Sequence, residues 1–514
     1  MNRLEAIRIG AAEFLGTAFL VAFGCATCTQ ALSKETWTIF HAAIGFGLVI
    51  ATIVLVIGHI SGGHINPAVS VGAAILQVIH PKMLLVYIPA QICGGIAGYG
   101  MLKAMTTSDI LSADGGANGF CVSSPNPAIT LTHAFMSEFF ATAMLMLVVC
   151  AVCDQRNPNN QTVPLQIGLA ITGLVLVIGH RSSASMNPAR SFGPAFWNSY
   201  YENHWLYWVA PISGSALAAF FYRTVFGFKH EHETHKPEPI PLEDVSDRNV
   251  QTSINFKTIL MLLVKTHRQT IRIAAAEFIG TAFLVAFGCA TCSKAISQEP
   301  WTIFNAAIGF GLIVAMIVLV IGHISGGHIN PAVSVGAAIL EVIQTKMLMV
   351  YIPAQICGGI AGYGMLMAMT TSDILSADGG ANGFCVSSPN SAVTLTNAFM
   401  SEFFATAMLM LVVCAVCDQR SPHNQTVPLQ IGLAITGLVL VIGHRSSASM
   451  NPARSLGPAI WNNHYENHWL YWVAPIAGSA LAAFFYRLVF GFEHEKKILH
   501  KPKPAPLEDI AERK

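Results

Sequence analysis

Apolar residues run in six long blocks, near positions 9–29, 37–58, 84–104, 133–153, 165–180 and 203–226, with short polar stretches between them. Each approaches the roughly 20 residues that a helix needs to cross a bilayer. Two shorter apolar pieces, one after Asn66 and one after Asn187, run for only about ten residues and stop short of crossing. The pattern therefore predicts six spanning helices and two half-helices. The first block carries Glu13 and lacks a clear small-residue cleavage site, so it reads as a span and not as a cleaved signal peptide.

The whole series is then duplicated head to tail. IRIGAAEFLGTAFLVAFGCATC, starting at Ile7, returns as IRIAAAEFIGTAFLVAFGCATC at Ile271, and the offset of 264 residues holds without a gap through the last span. A repeat of this kind decides architecture before any local reading does. It predicts an all-α polytopic membrane protein of two units, 1–228 and 265–492, joined by a polar linker at 229–264 and followed by a tail at 493–514. The linker segment HKPEPIPLED at His235 reappears as HKPKPAPLED at His500, which makes the linker the tail of the first unit. Six spans per unit is an even number, so both units insert the same way round. Arg3, Arg8, Lys229, Lys236, Lys257 and Lys265 gather in the N-terminus and linker, which places both termini in the cytoplasm.

Each unit also repeats within itself. AEFLGT at Ala12 echoes SEFFAT at Ser137, and VLVIGHISGGHINPAV, ending at Val69, echoes VLVIGHRSSASMNPAR, ending at Arg190. The halves start three spans apart, an odd number, so they insert with opposite orientation. Inverted repeats with broken hydrophobic segments at matching places point to a permeation site near the bilayer midplane. Asn-Pro-Ala opens each short segment: proline suits the first helical turn and asparagine caps it. Two such half-helices meeting end to end aim positive dipole ends and amide donors at mid-pore, a barrier to cations but not to a neutral hydrogen-bond acceptor.

Composition removes the competitors. Only 11% of the 514 residues are charged, 53% are apolar and the net charge is +1. Such a chain is neither disordered nor a nucleic-acid binder. No phosphate loop, HExxH or GxSxG is present, so an enzyme is not expected, and no cofactor is expected either. The 12 cysteines divide evenly between the units, so an even count carries no information on disulfides. Cys25, Cys28, Cys93, Cys150 and Cys153 lie in or beside apolar blocks and read as small packed hydrophobes, while Cys121 sits in a loop open to oxidation.

The paired Asn-Pro-Ala boxes, the second followed by arginine, and the Glu-Phe pair opening each half resemble the aquaporin (major intrinsic protein) family over both units. The resemblance implies that Asn66, Asn187, Asn330 and Asn451 are mid-pore donors. It implies an outer constriction of Phe46, Val175, Ala184 and Arg190, repeated as Phe310, Val439, Ala448 and Arg454. Glu13, Glu138, Glu277 and Glu402 then support the broken loops as acceptors in place of relaying protons, with His64 and His328 as buttresses. Strict water channels carry histidine where this chain has Val175 and Val439. His180 lies five residues away, roughly 7.5 Å along a helix and on another face, so it does not substitute. A water-channel frame without that histidine resembles the insect entomoglyceroporins. The expectation is a passive channel for water, glycerol and urea that excludes ions and protons. A strict water channel is the alternative, and a secondary transporter a weaker one. Its partners are the lipid bilayer, the permeating solutes and a second copy, two chains giving four pores. The plasma membrane is the expected location. A further Asn-Pro-Ala at Asn126, matched by Asn-Ser-Ala at Asn390, reads as incidental.

Overall fold

The computed structural model describes residues 3–30, 38–115, 118–158, 162–228, 256–297, 302–420 and 426–492. The linker from 229 to 255 and the tail from 493 lie outside them. Among the described residues, 12 helices are long and apolar enough to cross a membrane.

The first unit contains α1 (Arg3–Ala26), α2 (Ile39–Ser61), the half-helix α3 (Pro67–Ile75), α4 (Leu84–Met105), a short α5 (Ser108–Gly115), α6 (Leu131–Cys153), α7 (Val163–Ser182), the half-helix α8 (Pro188–Asn198) and α9 (Leu206–Phe221). The second repeats this order as α10 (Phe256–Ala290), α11 (Ile303–Ser325), α12 (Pro331–Ile339), α13 (Leu348–Met369), α14 (Ser372–Gly379), α15 (Leu395–Cys417), α16 (Val427–Ser446), α17 (Pro452–Trp461) and α18 (Leu470–Phe485). Helix α10 starts at Phe256, inside the segment read from sequence as linker, so the polar connection is shorter than its composition suggests.

Packing follows the internal inversion. Helix α1 lies on α4 as α6 lies on α9; α3 packs on α9 as α8 packs on α4; α2 and α7 pair across the pseudo-two-fold axis. In lipid there is little hydrophobic drive between helices, so close packing holds them together. Helix α4 shows how: a Cβ at Gly98 would stand 2.2 Å from the Ala18 carbonyl, and one at Gly94 2.4 Å from that of Phe14. The small-residue face therefore lets two backbones touch.

The half-helices are set by local chemistry. Asn66 is extended (φ −156°), Pro67 occupies the first turn, and the preceding Ile65 is left-handed (φ 45°), which turns the chain back into the unit. Helix α2 ends on left-handed Gly62 (φ 83°) and α7 on Ser183 (φ 63°). The two units also touch each other: α6 and α7 of the first pack against α10, α11 and α13 of the second.

Candidate functional site

Helices α3 and α8 meet N-terminus to N-terminus at the centre of the first unit. The Asn66 side-chain Oδ1 accepts from Ala68 N (2.9 Å) and its Nδ2 donates to the Met186 carbonyl (2.8 Å). Asn187 answers by accepting from Ala189 N and Arg190 N and donating to the Ile65 carbonyl at 2.8 Å. An asparagine amide carries two N–H donors. One of each pair is committed to the opposite loop, and the other remains for a molecule in the cavity that both residues line. Asn330 and Asn451 repeat the cross-link, again at 2.8 Å each way.

Non-helical backbone at this depth needs internal partners, and the four sequence-singled glutamates supply them. Glu13, fully buried, accepts from Ser61 Oγ (2.6 Å), His64 N (3.0 Å), Ile65 N (2.6 Å) and Gln91 Nε2 (2.7 Å). Glu138 accepts from Ser182 Oγ, Ser185 N and Met186 N. Glu277 and Glu402 repeat these sets in the second unit. The carboxylates are thus occupied by loop amides and serine hydroxyls and, for Glu13 and Glu277, by a glutamine amide of α4 or α13. His64 and His328 hold the same loops through Ser70 and Ser334, at 3.1 Å.

Phe46, Val175, Ala184 and Arg190 all line the same cavity, and the Arg190 guanidinium carbon lies 5.1 Å from the Phe46 ring centre. Ala184 is left-handed (φ 45°), as its counterpart Ala448 is (φ 47°). Phe310, Val439, Ala448 and Arg454 form the matching set, with the same 5.1 Å spacing. The cavity volumes are 470 Å³ in the first unit and 290 Å³ in the second. His180 lines neither; it borders the contact between units, beside Phe40 and Ala290. His180 therefore does not stand beside Val175 in the cavity.

A family model described as major intrinsic protein matches residues 1–222 and again 264–486. The chain belongs to the major intrinsic protein family. It is a tandem, multi-pass membrane channel of the aquaporin type. Over 240 residues it is 35% identical to the lens fiber major intrinsic protein of Lithobates pipiens, covering 46% of this chain and 89% of that one. Aquaporin-5 of Sus scrofa is 38% identical over 214 residues, 41% of this chain and 78% of the relative. Among solved structures, the aquaglyceroporin from Plasmodium falciparum matches with a TM-score of 0.40 and 27% identity, over 43% of this chain and 97% of that one.

One feature of this tandem major intrinsic protein departs from the sequence reading. Cys25 is not a free packed thiol: it is bridged to Cys121, 96 residues on, and Cys289 is bridged to Cys385. Duplication makes any cysteine count even, so only the convergence of the end of α1 with a distant loop reveals the pair. Cys28, Cys93, Cys150 and Cys153 are free, as read. Asn126 and Asn390 line neither of the two cavities, in keeping with a motif that is incidental to the pore, but they have a structural part that the sequence did not mark. Each side chain donates to the carbonyl of a histidine at the end of α7 or α16 (2.8 and 2.9 Å) and accepts from its own loop, pinning that loop down. Sequence reasoning also missed Ser123 and Ser387. Their hydroxyls accept from the arginines at 2.8 and 3.0 Å, and no motif marks them.

Proposed function

We propose that each unit is a passive pore for water and for small uncharged solutes, glycerol and urea among them, and that it rejects ions and protons. The observation that carries the solute range is Val175, with Val439, in the constriction. A branched aliphatic wall beside Phe46 suits a carbon skeleton, while Arg190 donates to hydroxyls or a carbonyl. Pore width and lining donors set selectivity in such channels. Asn66, Asn187, Asn330 and Asn451 act as the mid-pore donors, and Arg190 and Arg454 as the cation-repelling groups.

A strict water channel is the second reading, favoured by Ser191 after the arginine, whose hydroxyl is tied to Ser123 at 2.6 Å. Swelling of vesicles carrying the full chain separates the two. Glycerol and urea enter the wild type under the first reading, and V175H with V439H cuts that uptake about tenfold while water flux persists. Water flux with no glycerol or urea uptake in the wild type rejects the first reading.

The units conduct as 1–228 and 265–492, with the linker and tail on the cytoplasmic side of the plasma membrane. Both disulfides lie at the far end of α1 and α10 from the termini, which suits an outward, oxidising face. Two chains then close a four-pore ring. The first unit's α6–α7 face is covered by α10, α11 and α13 of the second, leaving α15–α16 of one chain for α1–α2 of another.

A further inference from the structure

The constriction arginine has an anchor that the pore reading leaves unexplained. Arg190 is buried, yet among the described residues it is in no ion pair with an acid; the guanidinium is held by one loop. Its Nη1 donates to the Cys121 carbonyl (3.0 Å) and to Ser123 Oγ (2.8 Å), and its Nη2 lies 3.4 Å from Cys121 Sγ. Cys121 is left-handed (φ 59°), a conformation unfavourable for a non-glycine residue, and in it the carbonyl faces the arginine. What ties Cys121 down is its bridge to Cys25, in the last turn of α1. The neighbouring residue, Gly24, gives space to the opposite wall: a Cβ there would stand 2.4 Å from Phe46 Cε1. One helical turn thus governs both the aromatic and the cationic side of the constriction. The second unit repeats every part: Cys385 (φ 61°) bridged to Cys289, Arg454 to the Cys385 carbonyl at 3.0 Å, and Gly288 under Phe310.

From this we infer that the Cys25–Cys121 and Cys289–Cys385 bridges are selectivity elements: they position the constriction arginines, and breaking them loosens discrimination among neutral solutes without closing the pore. The inference rests on the channel reading above. A structural fastener alone predicts otherwise. The loop has other ties, such as Tyr99 Oη to the Phe120 carbonyl (3.0 Å) and Asn126 to the end of α7, so the loop stays in place when the bridge is cut. What is lost is the fixed carbonyl facing the guanidinium, and the arginine then samples more than one position.

The bridge is opened by a dithiol such as dithiothreitol. Its thiolate attacks Sγ of the half-buried Cys121, the S–S bond breaks, and Cys25 leaves as a thiolate and takes up a proton. The second thiol of the reagent resolves the mixed disulfide, so two electrons pass from the dithiol, which becomes a cyclic disulfide, and two protein thiols result.

The test uses the full chain in vesicles, with free thiols first blocked by a maleimide. Water and urea permeabilities are measured before reduction, after reduction, and after reoxidation, with mass spectrometry counting newly exposed thiols. The urea-to-water ratio should rise about threefold on reduction and return on reoxidation. The double variant C25S with C289S should show the raised ratio without any reductant. An unchanged ratio in protein whose bridges are shown to be cleaved overturns the inference, as does loss of water flux together with loss of helical signal. Absence of water flux before any reduction would instead reject the channel reading itself.

Discussion

The two units have almost the same sequence and put the same side chains in different surroundings. Phe23 is 43% exposed and its counterpart Phe287 is fully buried; Leu55 is 69% exposed and Leu319 only 3%. On the opposite face the inequality reverses, with Val177 fully buried and Val441 60% exposed. One unit has its α6–α7 face covered and its α1–α2 face open, and the other has the complement. Aliphatic and aromatic residues accept either situation, since lipid tails are as apolar as leucine. Arginine does not, because a guanidinium facing lipid is costly without acceptors. Arg181 is buried, donating to Val177, to Thr370 Oγ1 at 3.2 Å and to the Ala290 carbonyl at 3.4 Å. Arg445 is exposed and donates to Val441 on its own helix. In the proposed four-pore ring the partners it would take are Ala26 and Thr106 of a second copy, the counterparts of Ala290 and Thr370.

The comparison breaks most visibly at the pores. V175W fills the constriction of the first unit and V439W that of the second. Each alone should leave roughly half of the water permeability and the pair should leave the background of empty vesicles. If one single variant removes all the flux, the units are not independent conductors.

A finer contrast lies in the matched arginines. R181A removes charged hydrogen bonds inside the chain and should lower the unfolding stability of the single chain in detergent by about 1.5–3 kcal/mol. R445A, an exposed change, should move it by less than about 0.5 kcal/mol yet weaken association between chains, as read by native mass spectrometry. Unchanged association of R445A would show that the open face has no second copy to meet at Arg445.

The site was legible in the sequence where function needs unusual residues in a membrane: Glu13 in a span, proline after asparagine, valine where a histidine is expected. The half-helices were legible for the same reason, since about ten apolar residues cannot cross. The contact between units was not, because Val177 and Val441 are the same residue in the same local sequence and no pattern distinguishes a face toward lipid from one toward protein. The start of α10 at Phe256 was hidden by the basic and polar residues mixed into its first turns. The loop that carries Cys121 and Ser123 has no periodicity, and its bond to Arg190 exists only after the fold brings distant segments together.

The smallest expected effect concerns acid. Burial opposes ionisation of Asp154, but three hydrogen bonds from Arg156, together with its charge, outweigh it and hold the carboxyl below its usual range. Hydrogen bonds from Arg420 hold Asp418 at about 2. A carboxylate with a lowered folded pKa stabilises fully above its unfolded value, about 4, and loses that contribution as pH falls toward the folded one. Both units should therefore keep these loops closed to hydrogen exchange above about pH 4; the second should open its loop between about pH 4 and 2, and the first as pH falls below about 4. Asp154 also faces His323 of the second unit at 3.9 Å, so opening there should loosen the seam between the units as well. A loop that stays protected down to pH 2 would contradict this.

Joining the units in one chain fixes their ratio at one to one, whatever the level of expression. A homomeric channel that acquires an altered subunit assembles every mixture of old and new. Here an altered half is always accompanied by an intact one, so one conduit is free to drift toward a different cargo while the other keeps the original traffic.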